Sequence, residues 1–147
     1  MNTIDDALSW IRDAEASVIN VEAWGDGAEC VFVDFLDALQ ADDWVSLAKG
    51  MRSLTDNETY LVVDCVLSLR WRRGSLDDDV IDALMAVVHV RGFDVRQRLL
   101  HVVGSGYARR RSLKFWRCFM SVLADAKPDD QLKLGFYAAI ARGAEGP

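Results

Sequence analysis

Residues 75–104 read SLDDDVIDALMAVVHVRGFDVRQRLLHVVG and carry the clearest signal for the fold. The first half places apolar side chains on one face of a helix, three and four residues apart. These side chains are Val80, Leu84, Val87 and Val88. Gly92 fits the position that follows a helix end, and a second helix is predicted from about Asp94 to Gly104. Because so short a turn makes the two helices antiparallel neighbours, the stretch predicts a helical hairpin.

The same apolar spacing continues on both sides of this hairpin, and only two prolines, Pro128 and Pro147, oppose helix formation. Further helices are predicted to start at capping residues or at a proline in the first turn. These starts fall near residues 3, 42, 56, 108 and 128. The predicted cap of the first helix is Thr3, with Asp6 three residues later.

Two of the predicted helices have an apolar stripe that identifies their buried face. In the helix from Asp56 the stripe is Tyr60, Val63, Leu67 and Trp71, and between residues 28 and 39 it is Val31, Phe35 and Leu39. Residues 17–33 leave an alternative open, because the turn signal Gly25-Asp26-Gly27 follows some strand-like alternation. This segment forms either a hairpin or two helices.

The predicted helix starts are regularly spaced along the chain. Two helices per unit places unit starts near residues 42, 75 and 108, at a spacing of 33 residues. This layout resembles helical-repeat proteins of the HEAT or armadillo kind, although an irregular bundle also fits. The sequence therefore predicts one all-α domain over residues 1–147, built from six to eight helices in antiparallel hairpins.

Charge is distributed unevenly in a chain whose formal net charge is −6. Residues 1–69 carry 14 acidic and 3 basic side chains, whereas residues 70–147 carry 9 acidic and 14 basic ones. A negative field of this size attracts basic proteins and speeds their association. The acidic N-terminal third is therefore a candidate surface for binding a basic protein.

The basic cluster Arg109-Arg110-Arg111 has two interpretations. With the preceding GSGYA, the arginines would form an anion site at a helix start, or a patch that binds nucleic acid. The overall acidity, with a pI of about 4.8, disfavours nucleic acid. The favoured interpretation is internal pairing with the acidic helix start at Asp77 to Asp79.

The sequence contains no recognised catalytic or cofactor motif. Glycine-rich phosphate loops and the serine elbow are absent, and neither His89 nor His101 has a metal-ligand partner at helical spacing. We therefore predict no enzyme activity, no metal and no cofactor. Three distant cysteines, Cys30, Cys65 and Cys118, are predicted to be small buried side chains.

The N-terminus and the apolar runs argue against secretion and membrane insertion. Two aspartates lie within the first six residues, no signal-peptide core follows, and the longest apolar runs are interrupted by charges. We therefore expect a cytoplasmic protein without membrane spans.

In size, acidity and tryptophan content, with five tryptophans, the chain resembles immunity proteins of bacterial toxin systems, including contact-dependent inhibition. The resemblance implies a non-enzymatic inhibitor of a basic toxin, with a nuclease as the expected target. The expected contacts are acidic residues and tryptophans near helix ends. They are Glu29, Asp34, Asp37, Asp42, Asp43 and Trp44, with Trp24 and Asp26 behind them. The alternatives are an anion- or nucleic-acid-binding regulatory module that uses Arg109, Arg110 and Arg111, and a helical adaptor.

Overall fold

The computed structural model describes residues 2–16, 27, 29–104, 122, 124 and 125. In these residues the protein is all-α and contains no strand, which confirms the predicted fold class. The helices are α1 (Ile4–Ala16), α2 (Glu29–Asp37), α3 (Ala41–Met51), α4 (Asp56–Arg73), α5 (Asp78–Val88) and α6 (Phe93–Gly104). Residues 29–33 are thus helical, while residues 17–26 and the helix predicted from 128 lie outside the described residues. Of the helix predicted from 108, only Val122, Ala124 and Asp125 are described, and all three are helical.

Side-chain caps mark the starts of α1 and α4. Thr3 Oγ1 accepts a hydrogen bond from the Asp6 amide at 3.1 Å, as predicted. At α4 the cap is Thr55 rather than Asp56, and a capping box joins it to Glu58: the Thr55 amide donates to Glu58 Oε1 at 2.8 Å. The predicted start was therefore one residue late, because Asp56 already lies in the first turn.

The six helices form two layers. In one layer α1, α3 and α5 pack side by side, and in the other α2, α4 and α6 do so. We call these the odd layer and the even layer. Further contacts of α1 with α4 and of α5 with α6 join the layers. Packing of each helix against the next but one is the arrangement of stacked hairpins. The repeat is 37 residues, from Ala41 to Asp78 and from Asp56 to Phe93, rather than the predicted 33.

Helices of the odd layer run parallel to one another. Arg12 in the last turns of α1 donates to Ser53 Oγ just beyond α3, at 2.7 Å. Arg91, beyond the end of α5, donates to the Met51 carbonyl at the end of α3, at 2.9 Å. Because the ends of α1, α3 and α5 meet in this way, their starts lie together at the opposite end of the layer.

The even layer is also parallel, and it runs opposite to the odd layer. The Gly92 amide before α6 donates to Asp56 Oδ2 at the start of α4, at 3.1 Å, and Arg73 bonds Asp37 where α4 and α2 end. Gly92 is therefore not a helix stop, since α5 ends at Val88. A Cβ at Gly92 would lie 2.7 Å from Asp56 Oδ2, so a larger residue there would displace this carboxylate from its hydrogen bond with the Gly92 amide.

The core lies between the layers and centres on α4. Val62, Val63, Val66 and Leu69 of that helix are fully buried, and the stripe predicted for α5, at Val80, Leu84, Val87 and Val88, is buried as expected. The stripe predicted for α4 is wrong at its end, because the last turn directs Arg72 and Arg73 towards α2 and leaves Trp71 74% exposed. In α2 the buried residues are Phe32, Val33 and Leu36, whereas Val31 is exposed.

Candidate functional site

Charge separates by layer. The three helices of the odd layer contain nine acidic and two basic residues, and those of the even layer contain seven acidic and five basic residues. The net negative charge is thus concentrated on the odd layer. This differs from the expectation of a general acidic N-terminal third, because α5 contributes as much net negative charge as α1.

Carboxylates of the even layer are matched by arginines of the same layer. Arg72 Nη1 lies 2.6 Å from Asp34 Oδ1, Arg73 Nε lies 2.6 Å from Asp37 Oδ1, and Arg98 binds Asp64. The hydrogen bond to Asp34 raises the pKa of the Arg72 guanidinium. Exposed ion pairs of this kind contribute little to stability. Their larger effect is to cancel the negative charge of this layer.

A cluster of aspartates lies where the odd-layer helices start. We define the acidic edge as the aspartates in the caps and first turns of α1, α3 and α5. They are Asp5, Asp6, Asp42, Asp43, Asp77, Asp78 and Asp79. Within the described residues Asp5, Asp42 and Asp78 form no ion pair. The helix dipoles stabilise these carboxylates where they are, and no cation in the described part of the chain pairs with Asp5, Asp42 or Asp78.

Two aspartates of the edge have additional local roles. Asp43 Oδ2 accepts a hydrogen bond from the Gln40 amide at 2.9 Å, which closes the capping box of α3. Asp6 Oδ2 accepts from the Asn2 amide at 3.3 Å. These two side chains therefore also stabilise the starts of their own helices.

The structure separates the eight predicted contact residues. Asp42 and Asp43 lie on the acidic edge. Asp34 and Asp37 are matched by Arg72 and Arg73, and the half-buried Glu29 accepts a hydrogen bond from Ser68 Oγ at 2.7 Å. Those three carboxylates therefore have internal partners, and Trp24 and Asp26 lie outside the described residues.

The choice of tryptophan is corrected. Trp44 is 2% exposed and packs in the core, so its interpretation as a surface contact is wrong. It lies on the face of α3 that also buries Leu47, Ala48 and Met51. Trp71 is the exposed tryptophan at this end of the fold, where α4 ends beside the loop that leads to Asp77. The sequence showed Asp77 to Asp79 as a run of three acids at a predicted helix start. It did not show that this start lies beside the starts of α1 and α3.

A groove of about 630 Å³ runs between the first halves of α4 and α6. Its lining includes Tyr60, Arg98 and His101, with the Arg98 guanidinium 5.7 Å from the centre of the Tyr60 ring. Burial, followed by the nearby Arg98 charge, lowers the pKa of His101. The groove lies at the end of the even layer opposite the acidic edge, and Arg98 is held by Asp64.

The cysteines, the arginine cluster and the potential metal ligands are the remaining candidates from the sequence. Burial raises the pKa of the Cys65 thiol, as expected for a core cysteine, whereas Cys30 is exposed on the solvent side of α2 and its predicted burial is wrong. Cys118 and the cluster at 109–111 lie outside the described residues. The predicted pairing of these arginines with Asp77 to Asp79 and the anion-binding alternative therefore both stay predictions. In the part of the chain that is described, no group of three potential metal ligands comes together.

None of the described helices combines the length and apolar character that crossing a bilayer requires. Comparison of the chain with protein families, with curated proteins and with solved structures found no match.

Proposed function

We propose that this protein is a non-enzymatic binding module that neutralises a positively charged protein through its acidic edge. The observation that carries the proposal is the contrast between the layers. Asp34, Asp37 and Asp64 of the even layer are each matched by an arginine, whereas Asp42 and Asp78 of the edge have no ion pair within the described residues. Carboxylates that the described residues leave without a cation can bind an external one.

The helix starts of the acidic edge lie close enough together for their electric fields to add. Neighbouring packed helices lie about 8–10 Å apart, which is close to the Debye length of about 8 Å at physiological ionic strength. The fields of adjacent helix starts therefore add before salt screens them. Complementary fields of this kind raise association rate constants from about 10⁵–10⁶ towards 10⁸–10⁹ M⁻¹s⁻¹. A phosphate polymer would be repelled by the same surface.

The specific form of the proposal is an immunity protein whose partner is a basic nuclease toxin. A nuclease binds phosphates with lysine and arginine side chains, and a row of carboxylates presented by three rigid helix starts competes for those side chains. Binding at or beside the nuclease active site would exclude the substrate. In this form Asp42, Asp43 and Asp77 to Asp79 are the expected contacts.

The test measures inhibition of a nuclease encoded beside this gene, since genes for toxins and their inhibitors are usually adjacent. Wild-type protein is expected to abolish nuclease activity at about equimolar concentration, and the variant Asp42→Lys/Asp78→Lys should require a large excess. Asp94→Lys is the matched control for Asp78→Lys, because both residues are exposed first-turn aspartates but Asp94 lies at the opposite end of the fold.

Loss of inhibition in the edge variant with retention in Asp94→Lys supports the acidic edge as the binding surface. Equal loss in both variants, or equal retention, would contradict it. Far-UV circular dichroism of each variant establishes that the helices are intact before inhibition is compared.

A further inference from the structure

Trp71 is an exposed aromatic side chain on a well-defined backbone. It lies in the last turn of α4 and is 74% exposed. The helix ends at Gly74, which has a φ of 80° and donates its amide to the Arg70 carbonyl at 2.7 Å. This left-handed cap terminates the helix cleanly. The indole is therefore presented from a fixed helix end rather than from a frayed one.

The two arginines that follow Trp71 are immobilised by α2. Arg72 Nη1 lies 2.6 Å from Asp34 Oδ1. Arg73 donates to Asp37 twice, through Nε to Oδ1 and through Nη2 to the backbone carbonyl, each at 2.6 Å. These contacts compensate the positive charges of Arg72 and Arg73.

The loop after Gly74 leads directly to the acidic edge. Residues 75–77 connect α4 to α5, whose cap and first turn contain Asp77, Asp78 and Asp79. Three carboxylates therefore follow the exposed indole within eight residues of sequence. The helix end that carries this solvent-exposed ring is therefore joined to the start of α5 by only a short loop.

We propose that Trp71 is the aromatic anchor of the acidic edge and binds an arginine or lysine side chain of the basic partner by cation–π contact. The inference rests on the proposed function and adds a specificity-determining residue to it. Tryptophan is the best aromatic acceptor for a cation, and arginine is the commoner donor. Tryptophan is also enriched among residues whose loss weakens protein complexes most.

The probe is a fluorescein-labelled decaarginine peptide, and its affinity is measured by fluorescence anisotropy at low salt. Trp71→Ala is expected to weaken binding about 2- to 5-fold, the size of a cation–π contact at an exposed site. The affinity of Trp71→Phe should lie between those of wild type and Trp71→Ala. Val90→Ala is the matched control, because Val90 is 73% exposed but lies beyond the end of α5, away from the edge.

A second readout places the peptide at the indole. In a proton–nitrogen NMR spectrum, the Trp71 indole signal is assigned by its absence in Trp71→Phe. It should shift more on peptide addition than the signal of the buried Trp44. An unshifted Trp71 signal with unchanged affinity in Trp71→Ala would overturn the inference.

Asp78→Lys separates this failure from failure of the proposed function. If Asp78→Lys weakens peptide binding and Trp71→Ala does not, the acidic edge stands and the anchor is wrong. If neither variant weakens binding, both proposals fail. Sedimentation is expected to show no dimer that depends on the indole, and a dimer abolished by Trp71→Ala would assign Trp71 to self-association and overturn the inference.

Discussion

Replacing Trp44 and Trp71 by alanine should give very different losses of stability. The two residues are 2% and 74% exposed. A tryptophan side chain buries roughly 200 Å² when fully enclosed, which at about 25 cal/mol per Å² corresponds to about 5 kcal/mol. Because alanine retains a methyl group and the core relaxes, we expect Trp44→Ala to lower the free energy of unfolding by about 3–5 kcal/mol.

For Trp71 only about a quarter of that area is buried, so the same arithmetic gives at most about 1 kcal/mol. The difference of at least about 2 kcal/mol should separate the two melting temperatures by about 4–8 °C in a domain of this size. Urea denaturation followed by circular dichroism at 222 nm measures both losses, and similar slopes in the two variants would show that the extent of unfolding is unchanged.

Equal losses, or a larger loss in Trp71→Ala, would refute the assignment of Trp44 to the core and Trp71 to the surface. If Trp44→Ala does not fold, Trp44→Phe supplies the comparison, because it leaves a smaller cavity at the same site. Trp71→Phe is its surface counterpart and should be nearly neutral.

Three further predictions concern the helix ends and the groove. Gly74→Ala should destabilise the protein by about 1 kcal/mol in urea denaturation, because Gly74 has a φ of 80° in open space, and Gly74→Asn should cost less. Thr55→Ala should cost about 1 kcal/mol through loss of the capping box with Glu58, whereas Thr55→Ser should restore it, as urea midpoints will show. Since burial and Arg98 lower the pKa of His101 from 6.5, the unfolded chain binds this proton more readily than the folded one below about pH 6.5. Wild type should therefore lose stability as the pH falls below that value, and His101→Gln should remove that part of the loss when urea midpoints at pH 7.5 and 5 are compared.

Much of the fold could be predicted from local signals in the sequence. Helical spacing identified the buried face of α5, and Thr3 was correctly placed as a cap. In α2 two stripes have the same spacing, Val31 with Phe35 and Phe32 with Leu36, and only packing against α4 decides that the second is buried. Sequence periodicity contains no information that separates them.

The candidate site could be predicted only in part, because it depends on contacts between distant segments. Asp34 and Arg72 are 38 residues apart, and their pairing arises from the packing of α2 on α4. That pairing removes Asp34 from the predicted surface. The parallel direction of alternate helices likewise brings Asp42 and Asp78 to one end, which neither first turn indicates alone.

The central claim is that the aspartates in the caps and first turns of α1, α3 and α5 attract a positively charged partner. Stopped-flow association of labelled decaarginine with wild type, Asp78→Lys and Asp94→Lys tests it most directly. A change of two charges about 8 Å from a partner cation is worth about 1 kcal/mol in water, or about 5-fold in rate. At 20 mM NaCl we predict an association rate constant about 5-fold lower for Asp78→Lys than for wild type, and little change for Asp94→Lys. At 500 mM NaCl, where the charges are screened, the rate constants of all three proteins should converge. Equal rate constants for the two variants at low salt would contradict the claim.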